Sequence, residues 1–466
     1  MKHFVLFLIG WLTVSGVCTQ VARAQTDPEE APPPTTRLLF LLDGSGSMRA
    51  RMDGEYSRMV VAKRLLSELT DSLSTVPNLE LGLRVYGHQF DRRLKNCRDS
   101  KLEVGFSADN EDRIKDRLRV IMPKGTTPIA YSLEEAARDF TPKPNTRNVI
   151  IIITDGLESC DGDPCAVALA LQRSRTFLKP FIIGLNDEGE SFAEAFACLG
   201  QYFEAYDIRT FRRVLDQVMM QTLGETTLSL ELLDTRGRPN ETNVNVNFTN
   251  SVTGDSEYDF YHYLDAQGRP DKLPVDAVLS YDITVHTLPP VHRKNVYLEG
   301  GRHNVVRIPA PQGRLQVTQP GGTPQTQLPV VVRDRRTRET INVQQLREPV
   351  KYLVGSYDVE VLTLPRTHFK GVEIRQSETT KLQVVTPGLL SVSELPKGLG
   401  SIYDVSKDDR MELIHTFDGQ TRLNLALQPG DYKLVFRAGT AHGSRFTDAR
   451  RFSIRSGQTT NVQLFQ

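Results

Sequence analysis

Leu38-Leu39-Phe40-Leu41-Leu42-Asp43-Gly44-Ser45-Gly46-Ser47-Met48 runs from five consecutive apolar residues straight into a short polar turn. Apolar side chains at both odd and even positions are what a strand covered on both faces requires. The turn offers one carboxylate, Asp43, and two hydroxyls, Ser45 and Ser47. Gly44 and Gly46 let the backbone fold so that these oxygens converge. Ligand sites in open α/β sheets lie in the loops at the carboxyl ends of the strands. The stretch therefore predicts a buried first strand with a site at its end.

Outward from it, residues 37–224 alternate between strand and helix patterns. Val60, Val61, Leu65, Leu66 and Leu69 have helical spacing over 56–73, and 79–86 reads as the next strand. Residues 101–106 read as a return strand reached through a polar hairpin that contains Cys97. Helices are expected near 110–121 and 129–140. Val149-Ile150-Ile151-Ile152-Ile153 is a second strand buried on both faces. Asp163-Pro164 reads as a helix cap followed by proline in the first turn. Strands at 181–185 and 202–205 and a helix at 209–223 complete the pattern. Such alternation predicts a doubly wound α/β, Rossmann-like domain with a mainly parallel sheet.

Beyond Gly224 the helical periodicity stops, and short β-type runs are separated by Gly, Pro, Asn and Asp turns. Ser280-Tyr281-Asp282-Ile283-Thr284-Val285 recurs as Ser356-Tyr357-Asp358-Val359-Glu360-Val361, and loosely as Asp431-Tyr432-Lys433-Leu434-Val435-Phe436. The spacing suits one small β-sandwich per copy and is too long for a solenoid unit. Three all-β modules are expected, at 225–311, 312–386 and 387–466.

The 466 residues carry 57 basic and 57 acidic side chains, so neither nucleic acid nor an anionic membrane surface is indicated as a partner. Lys2, the short apolar run 4–17 and Ala22-Arg23-Ala24 read as a cleavable export signal over 1–24, followed by a Pro-rich linker at 25–36. Val17 stands where a lipoprotein signal wants a small residue before Cys18, so lipidation is not expected. No later stretch is apolar enough to span a bilayer. The protein is therefore expected in the periplasm, on the cell surface or outside the cell. Export leaves Cys97, Cys160, Cys165 and Cys198, an even number that reads as two disulfides. Cys97 and Cys160 each follow a strand, Cys165 begins one helix and Cys198 is expected within the helix of the neighbouring crossover, so Cys97–Cys160 with Cys165–Cys198 is the preferred pairing. A local Cys160–Cys165 bridge is the alternative.

Two more segments belong with the opening turn. Gly125-Thr126-Thr127-Pro128 leads into a helix, and Thr154-Asp155-Gly156 ends the isoleucine strand. Together, Asp43-x-Ser45-x-Ser47, Thr127 and Asp155 resemble the metal-ion-dependent adhesion site (MIDAS) of von Willebrand factor type A (VWA) domains. The resemblance covers 37–224. It extends to the secreted bacterial subgroup through Tyr86-Gly87-His88, residues 124–129, 154–165 and Cys198-Leu199-Gly200. Thr127, rather than Thr126, is the expected ligand because the family pattern places it just before the proline. The resemblance implies that Asp43 and Asp155 act largely through water. An all-oxygen donor set suits a hard divalent cation, Mg²⁺ first and Ca²⁺ or Mn²⁺ next. A cation held by neutral hydroxyls keeps much of its charge, so the implied partner is a protein or surface ligand that presents a carboxylate.

His88 reads as a hydrogen-bonding loop residue, and Asp161 and Asp163 as loop and capping residues. The chain lacks a zinc-protease helix motif, a nucleophile elbow and a phosphate loop, and an enzyme is not expected. The rival function is a non-catalytic scaffold or accessory subunit of an envelope or transport complex, binding mainly through the β modules.

Overall fold

A computed structural model describes residues 34–52, 54–176, 180–185, 190–320, 328–405 and 411–464. The export signal at 1–24, Cys18 and most of the 25–36 linker lie outside the described residues.

β1 (Thr35–Asp43) sits inside a six-stranded sheet with β2 (Leu79–Tyr86), β3 (Ser100–Ser107), β4 (Thr146–Thr154), β5 (Phe181–Gly184) and β6 (Gln201–Glu204). The strand order is β3-β2-β1-β4-β5-β6, and only β3 runs antiparallel to its neighbour. The helices are α1 (Arg58–Leu73), α2 (Glu111–Val120), α3 (Ile129–Asp139), α4 (Pro164–Arg173), α5 (Glu190–Phe196) and α6 (Ile208–Leu223). The apolar run of β1 serves two cores. Leu38, Phe40 and Leu42 pack with Leu65 and Leu66 of α1, Ile114 of α2 and Phe211 of α6. Leu39 and Leu41 face the other way, against Ile129 and Leu133 of α3, Ala168 of α4 and Phe196 of α5. The period-2 geometry of a strand makes that division. The chain builds outward from β1 on one side and then restarts at β4 on the other. The switch point lies between these two strands.

Two local expectations are corrected. Helix α1 starts at Arg58, not Tyr56, because Tyr56–Ser57 pairs with Arg51–Met52 as a short ribbon. Ser57 then caps the helix, its hydroxyl accepting from the Val60 N–H at 3.3 Å. Cys198 was expected within a helix, but α5 ends at Phe196, and the Leu199 and Gly200 N–H groups close the turn onto its carbonyl. The Asp163 cap is present, accepting from Ala166 N–H at 3.0 Å.

After α6 the same seven-stranded unit occurs three times. The first has sheets ordered Ser256–Tyr261, Asn245–Asn250, Ser280–Val285, Val291–Tyr297 and Leu273–Pro274, Thr227–Leu233, His303–Pro309. The other two units repeat the four-plus-three division. In each unit the first strand runs parallel to the last, with Leu228 opposite Asn304, Leu315 opposite Thr380 and Leu390 opposite Thr460. The three repeat tyrosines explain why this short motif persists. Tyr281, Tyr357 and Tyr432 are buried, and their hydroxyls donate to the carbonyls of Asp276, Leu353 and Gln428 at 2.7, 2.9 and 2.6 Å. Each ring fills a sandwich core while its hydroxyl satisfies the backbone just upstream, as in the tyrosine corner of other β-sandwiches.

The units also join in a repeated way. Leu288 packs against the core of the second sandwich, and its carbonyl accepts from Leu353 N–H at 2.8 Å. Leu364 does the same for the third, accepting from Gln428 N–H at 2.7 Å. The corner backbone is thus shared between the tyrosine below it and the preceding module. Tyr357→Phe should cost about 1–2 kcal/mol of second-module stability, the penalty for a buried carbonyl losing its donor. Denaturant unfolding followed by hydrogen exchange on residues 312–386 checks it, and unchanged protection there would refute the corner's role.

Candidate functional site

The register fixes the site. Leu42 lies opposite Ile153, and Asp43 opposite Tyr86, so β1, β2 and β4 end level with one another. Asp43 is fully buried at that end. One of its oxygens accepts the Ser45 N–H at 2.7 Å, and the other accepts the Thr154 hydroxyl at 2.7 Å. The carboxylate therefore shapes the 43–47 turn and anchors it to β4. Backbone contacts bring in the second loop: Gly46 N–H donates to Gly125 O at 3.0 Å, and Lys124 N–H to Gly44 O at 2.9 Å. A Cβ on Gly44 would stand 2.6 Å from Tyr86 O, whereas the nearest atom to one on Gly46 is 3.4 Å away. Of the two glycines in the turn, only Gly44 is demanded by space.

The third loop is clamped to the second. Thr127 N–H donates to Ser159 Oγ at 2.8 Å, and Ser159 N–H returns a bond to Thr127 O at 3.1 Å. Glu158 accepts from the N–H groups of Ala130 and Cys160 at 2.8 and 2.9 Å, and burial raises its carboxyl above the ordinary range. Thr126 and Thr127 are separated cleanly. The Thr126 hydroxyl donates to Asn96 O at 2.9 Å, away from the turn. Thr127 Oγ1 and Ser47 Oγ instead lie 3.8 and 4.0 Å from the point where a Cβ on Gly156 would be. The bare Cα of Gly156 thus leaves a space lined by two hydroxyl oxygens from different loops.

Asp43, Ser45, Ser47 and Asp155 are joined by hydrogen bonds, and Thr127 Oγ1 stands beside Gly156 from the second loop. Ser45 Oγ lies 2.8 Å from Ser47 Oγ, and the Ser47 hydroxyl donates to Asp155 at 2.7 Å. Asp43, Ser45, Thr127 and Asp155 are buried, while Ser47 is exposed at the mouth. Burial first, and then the negative charge of Asp155, holds the Asp43 carboxyl above its ordinary range, against the bonds from Ser45 and Thr154. The Tyr86 hydroxyl is buried beside Asp43 and Thr154, and burial and that carboxylate push its pKa well up. Two acids without a full counter-charge and three hydroxyls together fit a hydrated hard cation. Among the described residues no three His, Cys, Asp or Glu form a metal-binding group, so a cation here would rest on hydroxyls as much as carboxylates.

Four residues at the site were not singled out as functional from the sequence. Thr154 and Ser159 sat inside quoted motifs but read as strand end and loop. Tyr86 read as the end of a strand. Arg58, whose Nη1 lies 2.9 Å from Asp155 Oδ2, gave no signal beyond an ordinary helix residue. His88 is a loop residue as expected, its Nε2 2.9 Å from Glu103 Oε1. The cysteines are paired Cys97–Cys160 and Cys165–Cys198. The first bridge ties the 88–99 hairpin to the loop that follows Asp155, and the second ties the start of α4 to the turn after α5.

Comparison with known proteins follows the same outline. Residues 38–158 match the model of the von Willebrand factor type A domain. Two uncharacterized proteins of Bacillus subtilis (strain 168) are similar to this chain. YwmC is 29% identical over 225 residues, covering 46% of this chain and 96% of its own. YwmD is 30% identical over 220 residues, covering 45% and 93%. Among solved structures, an aerotolerance-related membrane protein of Bacteroides fragilis NCTC 9343 aligns over 39% of this chain and 97% of its own, at 24% identity and a TM-score of 0.31. The pilus adhesin SpaC of Lactobacillus rhamnosus GG aligns over 88% and 65%, at 11% identity and a TM-score of 0.35.

Non-reducing peptide mapping should recover Cys97 linked to Cys160 and Cys165 linked to Cys198. Cys97→Ser with Cys160→Ser should lower stability by about 2–4 kcal/mol, the usual effect of opening such a loop. A peptide joining Cys160 to Cys165 would contradict the arrangement.

Proposed function

The chain belongs to the von Willebrand factor type A domain family, and from that premise we propose that it is an exported, non-catalytic binding protein that grips a carboxylate through a divalent cation. Ser45, Ser47 and Thr127 would hold the cation directly, and Asp43 and Asp155 would act through water from behind. Mg²⁺ suits the donor set best, with Mn²⁺ and Ca²⁺ as alternatives. The observation that carries the reading is the convergence of hydroxyls from the first and second loops on the space beside Gly156. Only Ser47 of the five is exposed, so access is from the loop side of the sheet.

The bound cation supplies a positive charge with room for one outside ligand. The chain's own residues do the rest. Asp43 holds the turn in shape through Ser45 and Thr154, and the Ser159 clamp holds Thr127 in place. A charge-assisted contact at such a preformed site is worth more than the water it displaces. Export is supported by the two disulfides, which form and persist in oxidising compartments. Among the described residues no helix is long and apolar enough to cross a membrane.

Mg²⁺ or Mn²⁺ should raise the melting temperature of the full chain. The stabilisation should reach about 2.7 kcal/mol at roughly a hundred times Kd, because a ligand that binds only the native state stabilises it. Asp43→Ala should abolish that shift, and an unchanged response would place the cation elsewhere. In a pull-down from envelope extract, Thr127→Ala should weaken capture by on the order of 1–3 kcal/mol. Chelator should mimic the variant, and added Mg²⁺ should rescue only the wild type. Capture that ignores both chelator and Thr127→Ala would favour the scaffold reading, with the contacts carried by the β modules.

A further inference from the structure

Arg58 adds a charge to the site that the five oxygen-donor residues do not account for. It opens α1 immediately after the capping Ser57, and its backbone N–H donates to Ala50 O at 2.9 Å. The first turn of a helix is the wrong end for a cation, because unpaired N–H groups make it positive already. No acidic residue in that turn compensates. The compensation comes from across the site: Arg58 Nη1 lies 2.9 Å from Asp155 Oδ2, and the Asp155 carboxylate is fully buried while the arginine side chain is 20% exposed. The other oxygen of Asp155 accepts the Ser47 hydroxyl at 2.7 Å. One carboxylate therefore separates the guanidinium from the hydroxyls of the cradle.

We propose that Arg58 is a specificity-determining residue that sets the net charge of the site, weakening its hold on a divalent cation and strengthening the loaded site's hold on an anion. The inference rests on the cation-binding reading above. With Asp43 and Asp155 ionised, a divalent cation would bring the site only to neutrality. Arg58 makes the loaded site positive overall. A cation held beside Ser47 would be repelled with the buried Asp155 carboxylate between the two charges, where Coulomb interactions keep much of their strength. In the metal-free protein Arg58 neutralises Asp155, which lets the loops stay closed around two buried acids. A loosely held cation with a positive surround selects partners by their negative charge, and a tightly held neutral one would not.

The test is calorimetric titration of Mn²⁺ into the full chain, comparing wild type, Arg58→Gln and Arg58→Lys. Glutamine keeps a hydrogen-bond donor for Asp155 but removes the charge, and lysine keeps the charge. Arg58→Gln should bind Mn²⁺ about tenfold more tightly than wild type, and Arg58→Lys within about twofold of it, as expected for a repulsion of this range. Equal or weaker binding by Arg58→Gln would overturn the proposal, as would a loss of binding in both variants, which would make Arg58 a positioning group for Asp155. If wild type and both variants all fail to bind Mn²⁺, the cation-binding reading itself falls.

Discussion

Everything at the site hangs on a buried carboxylate at the end of a buried strand. Asp43 has no solvent exposure, yet each of its oxygens has a defined donor, the Ser45 N–H and the Thr154 hydroxyl. Burying an acid is costly unless it is hydrogen-bonded or paired. The fold meets that cost by making the acid its organiser: one bond curls the first loop and the other locks it to the neighbouring strand. Removing the acid would release the first loop from the neighbouring strand as well as remove one charge. The parallel register of β1 with β2 and β4 is the matching constraint, since a slip by one residue would turn Asp43 from the site into the core.

The loops around Asp43 are held by the same economy of means. Backbone bonds join the first loop to the second, the Thr127–Ser159 clamp joins the second to the third, and Cys97–Cys160 joins the third to the hairpin after β2. A hydroxyl-lined space thus comes from loops, which are usually mobile, but these are tied at several points. Arg58 reaches the buried Asp155 from the start of a helix and pairs with it.

The β modules show a different use of one residue type. A tyrosine in each copy fills the core and ties the corner, and a leucine from the preceding copy packs into the next. Stability of each module is therefore linked to its neighbour. The B. subtilis relatives align over less than half of this chain.

The sequence by itself determined the doubly wound domain, because Leu38 to Leu42 in β1 and Val149 to Ile153 in β4 are apolar at every position, as a strand buried on both faces requires. It also singled out Asp43, Ser45, Ser47, Thr127 and Asp155, since their order and spacing survive as a pattern of residue types. The β repeats were legible through Tyr281, Tyr357 and Tyr432, though the hydroxyl contacts that preserve them were not. What the tertiary structure decided concerns groups whose partners are remote in the chain. Thr126 and Thr127 are told apart by their surroundings, the Thr126 hydroxyl being turned to Asn96 O. Arg84 lies in the middle of β2 with its guanidinium paired to Asp139 at 2.6 and 2.8 Å, a buried charge that periodicity reads as an interruption. Arg58 and Asp155 are 97 residues apart, and nothing local marks either as the other's partner. Periodicity and motif report what a segment buries and how it turns. Which charge neutralises which is set by the sheet order that brings β1, β4 and the start of α1 to one edge.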